Sequence, residues 1–361
     1  MKTAQITGWG KCMPPNVLSN HDLEQLIDTS DEWITSRTGI KERRIAHVEV
    51  SDMAAVAGLR ALAAAGKKPE DVDLLLLATC TPDSLIPSAA SIVQKKIGAI
   101  GCAAMDLNAA CSGFVYGMVV GTNMIRGGTN KTVLLIGAEK LHYVMDFTDR
   151  TTCVLFGDGA GAVVLEPSDG EHGVMATDLG LDGSIYHILE TPVDGTMGDR
   201  SDPDPRKSGV KMDGQEVFRR AVTKMGESSL KSMAQAGWQL EDIDLLIPHQ
   251  ANVRIIDATA RRLGLDEAKV YVNIHSYGNT SAATIPVALS EAMEEGRIKP
   301  GDNLILTAFG GGLSWGSIAY KWGDRIDPLG ESDAALPPPD RDTMELLKPN
   351  FDFFGMPEKL S

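Results

Sequence analysis

The sequence lacks the features of a membrane or secreted protein. No apolar run is long enough to span a bilayer, and the first seven residues have no apolar core of a signal peptide. The chain has five cysteines, an odd number with no Cys-x-x-Cys spacing, which does not support a disulfide framework or a zinc site. We therefore expect a cytoplasmic protein without a metal or another cofactor.

An excess of basic residues is also missing. The formal net charge is −15, which argues against a nucleic-acid-binding protein but leaves room for a local basic patch that meets an acidic partner. The chain has 361 residues, of which 43% are hydrophobic and 37 are glycine. This composition is typical of a large, tightly packed α/β core, either one large domain or two fused ones.

Two parts of the chain resemble each other at a constant offset of 171 residues. Residues 65–75 resemble residues 236–246. The same offset pairs further positions: Leu59 with Leu230, Ala63 with Ala234, Asn108 with Asn279, and residues 132–136 with 303–307. We therefore predict two homologous α/β halves, 1–170 and 171–323. Residues 324–361 have no repeat partner and are predicted to be an appended tail.

Cys111 lies at a turn between a strand and a helix in the first half. An apolar, strand-like run ends near Leu107, a turn of small residues follows, and the residues up to Ile125 predict a buried helix. A thiol at a helix N-terminus meets unpaired N–H groups and the positive end of the helix dipole, which favour a nucleophilic thiolate. Taken alone, the stretch is also compatible with plain packing of a buried cysteine.

The repeat predicts partners for Cys111 in the second half. His249 follows a predicted strand, and Asn279 begins the turn that is equivalent to the turn at Asn108. Equivalent strand ends and helix starts meet near a pseudo-twofold axis, so these three side chains are expected to converge at the junction of the halves. From spacing alone His249 could instead be a structural histidine, and His275 is an alternative partner.

This set of residue types favours one kind of chemistry. No carboxylate stands beside the set as a hydrolytic triad requires. A thiol that accepts an acyl group, together with two neutral donors that hold a thioester carbonyl, fits acyl transfer followed by carbon–carbon bond formation. A non-catalytic subunit of the same shape would be expected to lack Cys111, and a metal enzyme has no ligand cluster to support it.

Three further patterns have more than one interpretation. Trp33 and Arg37, four residues apart on a helix, could hold a flat or phosphorylated ligand or could simply pack on the surface. The glycines of residues 157–161 look like a dinucleotide fingerprint, but a strand follows them, so close backbone packing is the better interpretation. Residues 168–212 are predicted to be rich in loops. The tail is expected to be partly disordered or packed on the surface, with its aromatic cluster at residues 351–354 docked.

The motifs resemble those of the β-ketoacyl-ACP synthase III family of thiolase-fold condensing enzymes. The resemblance covers about residues 3–322 and rests on five motifs: Ala-Ala-Cys111-Ser-Gly-Phe, Phe156-Gly-Asp-Gly-Ala-Gly, Pro248-His-Gln-Ala-Asn, Gly278-Asn-Thr-Ser-Ala-Ala and Phe309-Gly-Gly-Gly. Other condensing enzymes of fatty acid elongation carry a second histidine, and thiolases a second cysteine, where this chain has Asn279.

The resemblance implies a five-layered αβαβα fold, a homodimer and an acyltransferase of fatty acid biosynthesis. The implied reaction is the decarboxylative Claisen condensation of an acyl-CoA primer with malonyl-ACP through an acyl-Cys111 intermediate, giving 3-oxoacyl-ACP. His249 and Asn279 would bind the malonyl thioester carbonyl and assist decarboxylation. The N–H groups of Cys111 and Gly311 would form the oxyanion hole, and Phe309 would favour loss of the carboxylate.

The resemblance also implies contacts to the two substrates. Trp33 and Arg150 match positions that sandwich the adenine of CoA, with Arg37 near its phosphates and Asn252 near its pantetheine. Four arginines match a patch that receives the acidic acyl carrier protein: Arg219, Arg254, Arg261 and Arg262.

The chain departs from the family pattern at two places. Ile86 stands before Pro87, where many acetyl-preferring members carry phenylalanine that reaches the partner subunit's acyl pocket. We therefore expect a primer longer than acetyl or a branched one. The tail is the second departure. A specialised synthase of the same fold is the main alternative, making a polyketide or an alkylquinolone or joining two acyl chains head to head. The last reaction needs an added carboxylate near Cys111, which the sequence does not locate.

Overall fold

A computed structural model of the protein describes residues 3–192, 204 and 209–356. The polar run predicted to be a loop at residues 195–208 lies outside the described residues, apart from position 204. The strands are β1 (Thr3–Cys12), β2 (Asn16–Ser19), β3 (Glu42–Ile45), β4 (Leu74–Ala78), β5 (Ala103–Leu107), β6 (Val133–Glu139), β7 (Gly159–Ser168), β8 (Gly173–Leu181), β9 (Leu189–Glu190), β10 (Lys211–Met212), β11 (Leu245–Pro248), β12 (Asn303–Gly310) and β13 (Ser314–Lys321). The α-helices are α1 (Asn20–Leu26), α2 (Asp31–Thr38), α3 (Val50–Ala65), α4 (Ala89–Ile97), α5 (Gly113–Arg126), α6 (Gly214–Ala236), α7 (Val253–Leu263), α8 (Ile274–Tyr277), α9 (Thr284–Glu294) and α10 (Thr343–Phe354).

Two mixed sheets with the same strand order form the core. The first has the order β1-β7-β6-β4-β5, and the second has the order β8-β13-β12-β11. A parallel bridge from Leu246 to Val270 extends the second sheet beyond β11. The strands β4 and β11, and the helix starts of α5 and α9, are each separated by 171 residues. The offset seen in the sequence therefore relates elements with the same place in their sheets.

Helices cover both sheets and fill the space between them. The helix α3 packs on β1, β7 and β6 of the first sheet, and α6 packs on β13, β8 and β12 of the second. The helices α5 and α9 contact strands of both sheets, so they form the central layer. Their buried faces consist mostly of apolar residues and, in α5, glycines, which lets the layers approach closely. The result is the predicted five-layered αβαβα arrangement.

The strand β8 was missed by the prediction of loops over residues 168–212. It pairs with β13 and closes the second sheet as β1 closes the first. Its sequence, Gly-Val-Met-Ala-Thr-Asp-Leu-Gly-Leu, is half-buried on both faces and shows no alternation of apolar and polar residues. Without that alternation the sequence has no period-2 pattern from which a strand could be predicted.

The tail is ordered along the surface of the first half up to residue 356. Its backbone bonds to α3, where the Leu329 N–H donates to the Ala64 carbonyl at 2.9 Å. The tail then ends in α10, which begins at Asp342 with a capping box. In α10, the Phe351 ring stacks edge-on against Phe147 with centroids 5.4 Å apart. Of the two alternatives for the tail, packing on the surface therefore applies to residues 324–356, and the predicted docking of the aromatic cluster is confirmed.

Candidate active site

One cavity of about 1030 Å³ gathers the residues predicted to be catalytic. Its lining includes Cys111 from the first half and both His249 and Asn279 from the second. His275, the alternative histidine, is exposed and lines a different, smaller cavity. The structure therefore brings together the three residues that the repeat had predicted to converge and separates His275 from them.

Cys111 is held by a tight turn before α5. Ala110 adopts a left-handed φ of 47°, and the Ala109 carbonyl accepts a hydrogen bond of 2.9 Å from the Ser314 hydroxyl. Gly310, at the end of β12, packs directly on this turn, since a methyl group there would lie 2.7 Å from the Cys111 nitrogen. A side chain at position 310 would therefore displace the nucleophile's own backbone.

The Cys111 thiol is protonated at rest. Burial raises its pKa to about 11, a hydrogen bond with Ser281 partly offsets this, and the nearby Glu139 carboxyl adds to the rise. Burial therefore opposes the thiolate that the helix N-terminus is expected to favour. A nucleophilic role for Cys111 therefore requires a base that accepts the thiol proton.

Asn279 is fixed in one orientation by its own turn. Its Oδ1 accepts a hydrogen bond of 2.8 Å from the Ser281 N–H, and its backbone N–H donates to the Leu155 carbonyl at 2.8 Å. With Oδ1 engaged, the Nδ2 group is the part of the amide that is left to donate into the cavity. The equivalent turn of the first half repeats the pattern, with Asn108 Oδ1 accepting from the Ala110 N–H at 3.1 Å.

His249 follows β11 and is buried. Its backbone N–H donates to the Thr307 carbonyl at 2.8 Å, and its Nδ1 lies 2.7 Å from the Thr284 hydroxyl oxygen. Burial lowers the pKa of the imidazole to about 3, so the ring is neutral at ordinary pH. Neutral imidazole is able either to accept or to donate a proton at Nε2, depending on its tautomer.

Glu139 is a carboxyl group that sequence reasoning missed. It ends β6 and is fully buried near Cys111, and burial raises its pKa. It accepts hydrogen bonds from the Thr81 hydroxyl at 2.6 Å, the Thr79 hydroxyl at 3.1 Å and the Cys80 N–H at 3.1 Å. It is not placed as the acid of a hydrolytic triad, because His249 Nδ1 bonds to Thr284 instead. Glu139 does not line the cavity, and its oxygens are taken by protein donors.

The turn after β12 completes the wall beside the nucleophile. Phe309 is buried and lines the cavity, and Gly311 lines it as well. The close approach of Gly310 to Cys111 brings the two chain segments into contact. The segments that carry the N–H groups of the predicted oxyanion hole, at Cys111 and Gly311, are therefore neighbours.

The predicted CoA residues lie around the outer part of the cavity. Trp33, Arg37 and Asn252 line it. The Arg150 guanidinium carbon lies 4.9 Å from the centre of the Trp33 ring, and its Nη1 donates to the Asp28 carbonyl at 2.8 Å. Stacked in this way, the two side chains leave no space for a base between them. A nucleotide that inserts there must therefore displace Arg150 from the ring.

The four predicted arginines of the basic patch lie on α6 and α7, which pack against each other. Arg254 is exposed and also lines the cavity, so the patch reaches its mouth. Arg219 bonds to Glu216 at 2.8 Å, and Arg262 lies 3.7 Å from Glu227. Arg261 is exposed on the last turn of α7. The patch is therefore partly neutralised by its own neighbours.

Ile86 lies outside the cavity of its own chain. Its side chain is 86% exposed, and that of the adjacent Leu85 is 83% exposed. The strand β5, at the edge of the first sheet, also exposes Met105. An exposed apolar loop beside an open sheet edge is a surface that proteins usually cover.

The glycine-rich segment at residues 157–161 serves packing. A methyl group on Gly161 would lie 2.6 Å from the Val287 nitrogen of α9, and one on Gly157 would lie 2.4 Å from the Tyr277 carbonyl oxygen. Backbone therefore touches backbone at both positions, which agrees with the interpretation of close packing.

Neither a membrane span nor a metal cluster is found in the part of the chain that the structure describes. None of its helices has the length and apolarity needed to cross a bilayer. The same residues contain no group of three or more histidine, cysteine, aspartate or glutamate side chains placed to hold a metal ion.

Comparisons with known proteins identify close relatives. Two family models, 3-oxoacyl-[acyl-carrier-protein] synthase III and its C-terminal part, match residues 105–183 and 233–322. The chain is 51% identical to beta-ketoacyl-[acyl-carrier-protein] synthase III 2 of Vibrio cholerae, over 95% of each chain. It is 48% identical to the synthase III of Desulfitobacterium hafniense, over 90% of this chain and 99% of that one. The crystal structure of 3-oxoacyl-[acyl-carrier-protein] synthase III from Aquifex aeolicus superposes with a TM-score of 0.83 at 47% identity, covering 88% of this chain and 100% of that one.

Proposed function

Since the chain belongs to the β-ketoacyl-[acyl-carrier-protein] synthase III family of condensing acyltransferases, which initiate fatty acid synthesis, we propose that Cys111 accepts an acyl group from acyl-CoA and passes it to malonyl-ACP. The product is a 3-oxoacyl-ACP, and carbon dioxide leaves. The observation that carries the proposal is the single cavity that holds Cys111, His249 and Asn279.

In the first half of the reaction the Cys111 sulfur attacks the thioester carbonyl of acyl-CoA. Burial raises the pKa of the Cys111 thiol and lowers that of His249, so His249 takes the proton only as the sulfur bonds to the acyl carbon. The backbone N–H groups of Cys111 and Gly311 hold the oxyanion, an arrangement supported by the contact of Gly310 with the Cys111 turn.

In the second half His249 and Asn279 hold the thioester carbonyl of malonyl-ACP. Asn279 is suited to this role because its Oδ1 is engaged by Ser281 and its Nδ2 is left to donate. Negative charge develops on the thioester oxygen as the carboxylate leaves, so donors placed there stabilise the transition state. Phe309 keeps the departing carboxylate in apolar surroundings and thereby favours its loss as neutral carbon dioxide.

The two substrates enter by the mouth of the cavity. Trp33, Arg37 and Asn252 line the path, and Arg150 moves off the Trp33 ring to admit the adenine of CoA between them. Acyl carrier protein is acidic, and the arginines of α6 and α7 receive it beside the mouth. No further cofactor is needed, because acyl-CoA is a substrate.

The enzyme acts as a homodimer and accepts primers longer than acetyl. The exposed edge of β5 and the neighbouring apolar loop at Leu85 and Ile86 form the dimer surface. In the dimer Ile86 reaches the acyl pocket of the partner subunit, where its smaller side chain leaves more room than phenylalanine. An Ile86→Phe variant is then expected to lose the longer primers while keeping acetyl-CoA, and unchanged selectivity would contradict this part of the proposal.

The proposal is tested by incubating the enzyme with acyl-CoAs from acetyl to dodecanoyl, without malonyl-ACP, and locating the adduct by peptide mass spectrometry. An acyl group is expected on Cys111, and the best-loaded chain identifies the primer. The matched controls are Cys111→Ala, which must abolish the adduct, and Cys80→Ala, which removes another thiol of the same cavity and must leave the adduct in place. No adduct on Cys111 from any of these esters would refute the proposal.

A head-to-head condensation of two acyl chains is the alternative that the buried carboxyl raises. It requires a carboxylate that reaches the acyl substrate near Cys111. Glu139 is near, but it lies outside the cavity lining and accepts hydrogen bonds from Thr79, Cys80 and Thr81. These contacts favour a structural role for Glu139 and leave the malonyl-dependent reaction as the better proposal.

A further inference from the structure

The turn at Ser281 does not depend on the hydroxyl of that residue. Ser281 and its repeat equivalent, Ala110, share a left-handed backbone with φ of 49° and 47°. In each turn the backbone N–H donates to the side-chain oxygen of the asparagine two residues earlier, at 2.8 Å for Ser281 and 3.1 Å for Ala110. Alanine therefore supports the same turn in the first half, and the hydroxyl in the second half is left for a different role.

Ser281 lies against the turn that holds the nucleophile. The short turns Ala110–Ser112 and Ser281–Ala283 pack on each other where the two halves meet, and Ser281 lines the cavity together with Cys111. Only 2% of Ser281 is exposed. Buried hydroxyl groups usually have a hydrogen-bond partner, so the proton of this one is expected to point at an acceptor close to Cys111.

Three acceptors surround the Ser281 hydroxyl: Cys80, Glu139 and Cys111. The first two are already bonded to each other, because Cys80 Sγ donates to Glu139 Oε1 at 3.3 Å. Glu139 also accepts from the Cys80 N–H and from the hydroxyls of Thr79 and Thr81. The contact of Ser281 Oγ with Cys80 Sγ is long, at 4.0 Å. The Cys111 sulfur is therefore the acceptor that most needs the proton.

The Cys111 sulfur carries negative charge twice in the proposed reaction. Charge develops first as the thiol loses its proton and attacks the acyl carbon, and again as the sulfur leaves that carbon during condensation. A hydrogen bond to a charged acceptor is stronger than one between neutral groups, and burial increases the difference because water is excluded. A donor aimed at the sulfur therefore stabilises both transition states more than it stabilises the resting thiol.

We propose that Ser281 is a further catalytic residue, whose hydroxyl donates a hydrogen bond to the Cys111 sulfur while that sulfur is charged. The inference rests on the proposed function of the site. It adds a donor for the sulfur to the donors that His249, Asn279 and the backbone supply to substrate oxygens. The O–H bond of Ser281 stays intact in both halves, so the hydroxyl adds no proton to the balance of the reaction.

Ser281→Ala tests the hydroxyl without changing the turn, as Ala110 shows for the first half. Ser112→Ala is the matched control. Ser112 directly follows Cys111 and is fully buried, and its hydroxyl has no hydrogen-bond partner within the described residues. Both variants are expected to fold, with urea midpoints close to that of the wild type.

The first measurement is the rate at which iodoacetamide alkylates Cys111 between pH 7 and 9, followed by mass spectrometry of the Cys111 peptide. A donor to the charged form lowers a thiol pKa by about one unit, so its loss makes the thiolate about tenfold scarcer throughout this range. A more basic thiolate is also more nucleophilic, so we expect a net fall of about threefold for Ser281→Ala. The titratable groups around the sulfur, Glu139, Cys80 and His249, are the same in both variants.

The direction of this change separates a catalytic role from a structural one. A hydroxyl that only filled space would leave a void when removed, and the buried thiol would then be alkylated faster. An unchanged or higher rate in Ser281→Ala, or an equal fall in Ser112→Ala, would overturn the inference.

The second measurement is acylation of Cys111 by the best primer of the acyl-CoA panel. We expect the maximal rate of Ser281→Ala to fall at least about threefold, with the half-maximal acyl-CoA concentration unchanged, because the hydroxyl contacts the nucleophile and not the substrate. An unchanged maximal rate would also overturn the inference. A wild-type enzyme that iodoacetamide labels at Cys111 but that no acyl-CoA acylates would instead overturn the proposed function.

Discussion

Leu347 connects the C-terminal helix α10 to the wall of the cavity. It is fully buried in a cluster with Leu141, Val144 and Phe147, and the first two of these also line the cavity. Truncation of a buried leucine to alanine costs about 2–5 kcal/mol of the free energy of unfolding, and the loss is larger where neighbours cannot close the void. Here α10 is held by Asn350, whose amide donates to three carbonyl groups of residues 142–145. We therefore expect Leu347→Ala to lose about 3–4 kcal/mol, in the upper part of that range.

The same variant is expected to weaken substrate binding more than the chemical step. Leu141 and Val144 line the cavity and belong to the cluster that contains Leu347, so a void behind them is expected to loosen this part of the wall. The acyl-CoA concentration for half-maximal acylation of Cys111 should rise several-fold, while the maximal rate changes by less than about twofold.

The assay pairs urea unfolding with acylation rates over a range of acyl-CoA concentrations. Leu329→Ala is the matched control, because Leu329 lies in the same tail but its side chain is 64% exposed. Its free energy of unfolding should stay within about 0.5 kcal/mol of the wild type. If Leu347→Ala loses less than about 1 kcal/mol and keeps its half-maximal concentration, α10 does not support the cavity wall and the reasoning is refuted.

Two further predictions concern the centre of the site. Gly310→Ala places a methyl group 2.7 Å from the Cys111 nitrogen, so its free energy of unfolding should fall by about 1–3 kcal/mol and its acylation rate by at least about tenfold. The Gly183→Ala control meets only Leu181 at an ordinary 3.5 Å, and similar losses in both variants would contradict the argument. The pKa of His249 is lower in the folded chain than in the unfolded chain. As the pH drops below about 6.5, the unfolded chain therefore binds a proton at His249 that the folded chain does not, and the free energy of unfolding falls. Between pH 6.5 and 5.0 in urea, the wild type should therefore lose about 1.6 kcal/mol more than His249→Gln, and parallel losses would show that the imidazole is not buried as a neutral ring.

Much of the architecture could be predicted because the sequence contains an internal repeat at a constant offset of 171 residues. The constant offset identified the equivalent strands and the equivalent turns at Asn108 and Asn279 before any coordinates were known. Those turns place Cys111 and Asn279 in one cavity with His249. Each of these residues comes soon after the end of a regular element, namely β5, β11 or α8, and the end of an element can be predicted from the local sequence.

The residues that escaped prediction depend on contacts between distant segments. In the sequence Glu139 resembles an ordinary surface glutamate at the end of a strand, and its burial requires donors from Thr79 and Thr81, which lie 60 and 58 residues earlier in the chain. In the sequence Thr284 is simply the first residue of a helix. Its hydrogen bond with His249, thirty-five residues earlier, forms only in the folded chain. Such pairs leave no pattern in the local sequence, because the two residues meet only when the layers of the fold pack together.

The two halves contain the same kind of turn at equivalent positions. Asn108 and Asn279 hold the same kind of turn, and each accepts the N–H two residues further along. The residues at those two places, Ala110 and Ser281, share a left-handed φ of 47° and 49°. An exchange of asparagine for aspartate at position 108 tests the turn that carries Cys111, and Asn108 itself lines the cavity. The same exchange at 279 tests the turn together with the amide that is predicted to donate to the substrate. The repeat thus supplies two versions of one turn, each beside a predicted catalytic side chain.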